Sequence, residues 1–105
     1  MGKQWGRVVK MIVEEPKNAV IEADKLLQFA LAIPHKRSKS VGDTLKQHGD
    51  RLFSDLNQVW RAHKLRNRFV HEIGFDIEEQ DAREAVAIFK KALTELGVEF
   101  RSRLQ

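Results

Sequence analysis

The fold is decided by residues 53–73, which read FSDLNQVWRAHKLRNRFVHEI. Apolar side chains recur along this stretch at the spacing that places them on one face of an α-helix. At about 100° per residue, that face predicts a core stripe around His63, formed by Leu52, Leu56, Val59 and Val70 with Phe53 and Trp60 slightly to one side. We therefore expect a long helix from about Phe53 to Ile73, ended by Gly74.

The same helical spacing continues on both sides of this stretch. We expect a short helix that ends before Pro16, a second helix over 16–33, a short one over 41–52 with an interruption near Gly49, and a last one from Glu78 or Glu79 to about Gly97. Residues 34–42 are polar, basic and rich in helix breakers, so they predict a loop.

This pattern predicts an all-α fold. Because helices joined by short loops pack as antiparallel neighbours, we expect an antiparallel four-helix up-and-down bundle with a short extra N-terminal helix. The 105 residues fit one domain. Within it, residues 1–15 form the N-terminal extension and residues 16–103 the bundle.

Composition narrows the classes of function. The chain has no cysteine, which excludes a disulfide framework, thiol catalysis and thiolate-bound zinc, and suits a cytoplasmic location. No apolar stretch reaches the roughly 18–20 residues that span a bilayer, so we expect no membrane insertion by this chain. The formal net charge is +4, and basic residues cluster at 35–39 and 61–68. An anionic partner such as RNA is one interpretation, and a well-solvated surface is the other.

The last part of the central helix combines an inward direction with polar side chains. Arg66 falls on one flank of the core stripe, and Asn67 and His71 fall on the other. Burying such groups without partners costs roughly 1–3 kcal/mol each. A cleft, a ligand or a second subunit is therefore expected here, although a buried polar network that fixes helix register or a dimer seam is the simpler alternative.

These residue types suit phosphodiester chemistry on RNA. An imidazole exchanges protons near neutral pH, a guanidinium binds the negative phosphate through fixed donors, and an amide orients either group. Acid–base cleavage benefits from two histidines, which indicates a symmetric homodimer that joins two copies of the set. No carboxylate cage is visible, so we expect no metal and no cofactor.

The segment Leu65-Arg66-Asn67-Arg68-Phe69-Val70-His71-Glu72 resembles the signature of HEPN domains, in which an Arg and a polar residue precede a His. Here four residues separate Arg66 from His71, and Asn67 fills the polar position. Residues 60–64 and 74–77 also look like those of HEPN-like bacterial proteins, some of which are cytosolic domains attached to a membrane helix.

The resemblance implies a four-helix bundle that dimerises through the motif helix. It also implies a metal-independent endoribonuclease that leaves a 2′,3′-cyclic phosphate, as in toxin–antitoxin and defence systems, with an antitoxin or inhibitor as a possible partner. His71 would be the acid–base group, Arg66 would stabilise the phosphate and Asn67 would support both. The alternatives are a non-catalytic HEPN-like module that binds nucleotide or RNA, and a dimerisation domain on the cytosolic side of a membrane-tethered protein.

Two further groups of residues belong to this interpretation. His63 and Asp24 are expected to support the site: a core histidine bonded to backbone or carboxylate is favoured over a catalytic one, and Asp24 either faces inward, toward Arg66 or His63, or is solvated. The expected RNA-binding residues are Lys36, Arg37, Lys39, Lys64 and Arg68.

Overall fold

The computed structural model describes residues 2–32 and 40–100. Five α-helices lie in these ranges: α1 (Gly2–Glu14), α2 (Pro16–Ala32), α3 (Val41–Leu52), α4 (Leu56–His71) and α5 (Glu79–Glu95). The described ranges contain no β-strand, so the all-α prediction is confirmed. None of these five helices is long and apolar enough to cross a membrane.

The first two helices are separated by a single residue, Glu15. Pro16 opens α2, where its missing N–H removes no intrahelical hydrogen bond. Trp5 is buried and its ring lies against that of Phe100, with 5.2 Å between the ring centroids. The N-terminal helix therefore packs on the same core as the rest of the chain.

Helix α3 has the predicted range, Val41–Leu52, but not the predicted interruption. The loop predicted over 34–42 overlapped the start of this helix, and the structure decides for the helix: the Ser40 side chain accepts a hydrogen bond from the Asp43 N–H and caps α3 at Val41. The interruption expected near Gly49 is wrong, since α3 is continuous. Gly49 instead allows close packing: a Cβ there would lie 2.5 Å from Leu56 Cδ1.

Helix α4 is shorter than predicted, because Asp55 caps its N-terminus and Gly74, with φ +83°, follows its end. Val59 and His63 are buried as expected, and Ala62, which was not predicted, is buried with them. Val70 was expected in the core stripe and is 54% exposed, so that expectation is wrong. The reason is not helix rotation, since Val70 follows Val59 by eleven residues and points about 20° from it. Its direction is that of the core, but no described part of the chain covers it.

Contacts at both ends of α4 fix its direction relative to its neighbours. Lys17, at the start of α2, donates a hydrogen bond to the Phe75 carbonyl just after α4, at 3.0 Å. At the other end, the Ser54 N–H donates to the Glu95 carboxylate, 3.2 and 3.3 Å from its oxygens. Thus α4 runs antiparallel to both α2 and α5. The side of α4 that carries Trp60 and His63 faces Gly42 in the first turn of α3.

Candidate functional site

An open cavity of about 460 Å³ lies between helices α2, α3 and α4. Its walls are Asp24 and Gln28 from α2, residues 40–43 and Lys46 from α3 and its cap, and Trp60, His63, Lys64, Arg66 and Asn67 from α4. This volume falls in the range of about 300–1,000 Å³ that is typical of small-ligand sites. Four of the five residues that were predicted to act or to support the site therefore line one cavity.

The floor of the cavity is a buried pair between α2 and α4. His63 Nδ1 lies 2.7 Å from Asp24 Oδ2, and the two residues are 8% and 2% exposed. A carboxylate only accepts, which assigns the proton to Nδ1 as the donor. The inward alternative for Asp24 is therefore the correct one, and His63 is a core histidine bonded to a carboxylate.

The second ring nitrogen of His63 points away from Asp24. A Cβ built on Gly42 would lie 3.9 Å from His63 Nε2 and 3.9 Å from the Trp60 ring. Among the described residues, Nε2 forms no hydrogen bond. The imidazole is thus fixed through one nitrogen and presents the other one to the cavity beside the first turn of α3.

Arg66 is half-buried on the wall of the same cavity. Its Nη1 donates a hydrogen bond to Asn67 Oδ1 at 3.0 Å, whereas its Nε is buried and has no hydrogen-bond partner in the described ranges. No described carboxylate forms an ion pair with it. A partly desolvated guanidinium without a counter-charge is costly, and an anion at its Nη groups would lower that cost.

His71 lies outside this cavity. It is the last residue of α4 and is exposed, which makes its predicted place on the inward face wrong for a single chain. Val70 beside it is 54% exposed, and Ile73 is fully exposed. The end of α4 therefore presents a histidine between two uncovered apolar side chains.

The basic residues of α4 divide between two sides of the helix. Lys64 Nζ lies 5.5 Å from the centre of the Trp60 ring, at the edge of the cavity. Arg68 faces a different groove, where it pairs with Glu72 at 3.0 Å and stacks 3.8 Å from the centre of the Phe75 ring. Lys36, Arg37 and Lys39 lie outside the described residues.

Sequence reasoning missed the contribution of α3 to the cavity. Gly42, Asp43 and Lys46 were not singled out, and Trp60 was interpreted only as core although it is half-buried in the wall. The available signal was Ser40 followed by Asp43 three residues later, a pattern that is typical of a helix start.

Neither family models nor curated proteins nor solved structures give a match to this chain. No relative therefore supplies a function or a set of site residues. The function proposed below rests on the motif in residues 65–72 and on the contacts described above.

Proposed function

We propose that this chain is a HEPN-like, metal-independent endoribonuclease that acts as a homodimer, with Arg66, Asn67 and His71 at a site shared by two copies. The observation that carries the proposal is Arg66: its guanidinium is half-buried, oriented by Asn67 and lacks a described carboxylate partner. Such a group favours a phosphate at its Nη donors, whose charge would offset the partial desolvation of the guanidinium.

The position of His71 supports a site made by two copies. His71 lies five positions after Arg66, which corresponds to about 140° around the helix and about 7.5 Å along it. Two side chains that diverge in this way on one helix do not converge on one phosphate. A two-fold axis near the end of α4 would bring His71 of each copy toward Arg66 of the other.

The exposed apolar residues favour this end of α4 as the dimer interface. Val70 points in the direction of the core stripe and is nevertheless uncovered, and Ile73 follows it. Apolar surface of this kind is commonly buried between subunits.

The four-helix up-and-down arrangement and a cytoplasmic location are parts of the same proposal.

The chemistry follows from these positions. His71 of one copy takes the proton of a ribose 2′-hydroxyl, whose oxygen attacks the adjacent phosphorus. The bond from phosphorus to the 5′-oxygen breaks, and His71 of the second copy gives that oxygen a proton. Arg66 stabilises the charge on the non-bridging oxygens. The products are a 2′,3′-cyclic phosphate and a 5′-hydroxyl end.

The test is cleavage of a mixed-sequence RNA in EDTA by wild-type protein, His71→Ala and Arg66→Ala at equal folded concentration. Arg61→Ala, an exposed arginine on the same helix, and His48→Ala are the matched controls. We expect both site substitutions to lower the rate by at least about 100-fold, as loss of an acid–base or charge-stabilising group does, and both controls to retain it. Full activity of His71→Ala would refute the proposal.

A further inference from the structure

The groove that Arg68 faces lies between α4 and α5 and has an open volume of about 530 Å³. Part of its lining is apolar: Ala62 and Ala85 are buried there, and four larger side chains are only half-buried. These four are Leu65, Phe75, Ile77 and Ile88. Apolar side chains that stay partly exposed within a polar rim mark interaction sites. We call this surface the α4–α5 groove.

The two walls of the α4–α5 groove carry opposite charges. The basic wall consists of three residues of α4, at positions that share one side of the helix: Arg61, Lys64 and Arg68. The acidic wall consists of one residue before α5 and two residues on it: Asp76, Asp81 and Glu84. All six side chains belong to exposed residues. The apolar part of the groove is therefore flanked by cations on one side and by carboxylates on the other.

No ion pair joins the two walls among the residues that the structure describes. Arg68 pairs with Glu72 on its own helix, at 3.0 Å. Arg61 and Lys64 form no ion pair within the described ranges, and neither does Glu84. Charges that face each other across an apolar surface without pairing are complementary to a partner that lies between them and carries both signs.

The length of the α4–α5 groove suits a helix. Arg61 and Arg68 are seven positions apart on α4, and so are Asp81 and Ile88 on α5, which corresponds to about 10 Å, or two helical turns. An amphipathic helix binds such a groove through its side chains alone, because its own backbone groups are already paired. An added strand would need an exposed sheet edge, and the described ranges contain no strand.

We propose that the α4–α5 groove binds an amphipathic helix of another protein, whose apolar stripe packs on Leu65 and Ile88. Acidic side chains on one flank of this helix pair with Arg61 and Lys64, and basic side chains on its other flank pair with Glu84. The surface is separate from the nuclease site proposed above, because none of the three motif residues lines the groove.

The experiment measures the binding of three stapled helical peptides to the full chain by fluorescence anisotropy. Each peptide has about 14 residues, or four turns, and all three carry the same leucine stripe. The mixed peptide has glutamates on one flank and lysines on the other, and the two comparison peptides have only glutamates or only lysines on both flanks. The staple lies opposite the stripe, so that helix formation does not limit the affinity. Low ionic strength keeps the screening of exposed charges small.

We expect the mixed peptide to bind about tenfold more tightly than either comparison peptide, since each of those places like charges against one wall. General attraction to a chain of net charge +4 would instead favour the glutamate peptide. The backbone amide resonances of Leu65 and Ile88 should shift when the mixed peptide binds, which locates the peptide on the chain.

The decisive variant reverses the basic wall through Arg61→Glu together with Lys64→Glu. Both walls are then acidic, so the lysine peptide should bind more tightly than the mixed one. Arg7→Glu together with Lys10→Glu is the matched control, because these residues are exposed on α1 and the net charge changes by the same amount. The control should keep the preference for the mixed peptide. All four positions are exposed, so both variants should retain the helical circular dichroism of the wild type.

Absence of binding by the mixed peptide, equal affinities of the three peptides, or the same change of preference in both double variants would overturn the inference. Shifts confined to Val70 and Ile73 would also overturn it, since they would place the peptide at the proposed dimer interface. Self-association that is lost on Arg61→Glu with Lys64→Glu would identify a second copy as the occupant, against the proposal. His71→Ala should bind the mixed peptide as the wild type does, so failure of the groove and failure of the nuclease are separate outcomes.

Discussion

Asp24 Oδ2 accepts a hydrogen bond from His63 Nδ1 at 2.7 Å, and this pair joins α2 to α4 in the interior of the chain. The contact spans 39 positions of sequence, so it forms only when the two helices are packed in register. It also decides which nitrogen of His63 faces the cavity. A single buried pair therefore contributes both to the fold and to the geometry of the candidate site.

Removal of the Asp24 carboxylate should destabilise the protein. Asp24→Ala leaves a buried imidazole without its acceptor, which costs about 1–3 kcal/mol. Asp24→Asn keeps an acceptor oxygen and should cost less. The measurement is urea denaturation, with Glu22→Ala as the control, because Glu22 pairs with Lys25 at the surface and such pairs contribute little. If Asp24→Ala unfolds at the same urea concentration as the control, the Asp24–His63 pair does not stabilise the fold.

Two glycines in helices should respond to alanine in opposite directions. Gly6 is exposed in α1 and an added methyl meets nothing, so Gly6→Ala should stabilise the chain by about 0.5–1 kcal/mol. At Gly49 the added carbon would lie 2.5, 3.2 and 3.4 Å from three Leu56 carbons. Leu56 Cδ1 must move and Cδ2 must give way slightly, so we expect a net loss of about 1 kcal/mol.

Thermal or chemical denaturation of these two variants tests the packing of α3 against α4. A Gly49→Ala protein as stable as Gly6→Ala would mean that Leu56 is free to move and that this packing is loose.

The helices were predictable from sequence because apolar spacing and breakers are local signals. Pro16 marked the start of α2 correctly, Gly74 put the end of α4 two residues too late, and the direction of Val59 and His63 followed from helical geometry. The prediction of an interruption at Gly49 was wrong. Glycine has a low helix propensity, but within a helix it also allows a side chain of a neighbouring helix to pack closely. Only the position of Leu56 distinguishes the two cases, and that position is a tertiary contact.

The site was predictable only in part, for a similar reason. The motif identified Arg66, Asn67 and His71, but spacing along one helix does not show what covers each side chain. Val70 and His71 point as helical geometry requires and are exposed because no described segment packs on them. Lys46 and Gly42 enter the cavity through the packing of α3, which no pattern within α4 indicates.

A charge at Val70 should dissociate the proposed dimer. Val70→Lys removes an apolar side chain that is uncovered in one chain, so the fold of each copy should persist while association and RNA cleavage are lost. Val13→Lys is the control, since Val13 is similarly exposed, at 59%, but lies on α1. Sedimentation equilibrium measures the association. An unchanged dimer with Val70→Lys would place the interface elsewhere.

Mixing two inactive variants should restore part of the activity. In a His71→Ala and Arg66→Ala heterodimer, one copy supplies the arginine and the other supplies one of the two histidines, so a shared site regains its phosphate-binding group and one acid–base group, and only part of the rate returns. The measurement is the cleavage rate after the two proteins are unfolded and refolded together. Activity no greater than that of either variant alone would argue against a site that spans two copies.

The most direct measurement of the central claim is the chemical nature of the RNA ends produced in EDTA by purified wild-type protein and by His71→Ala. Mass spectrometry of the fragments should show 2′,3′-cyclic phosphate and 5′-hydroxyl ends for the wild type, because the 2′-oxygen is the nucleophile, and no fragments for His71→Ala. Fragments with 3′-hydroxyl ends, or identical cyclic-phosphate fragments from both proteins, would contradict the assignment of this chemistry to His71.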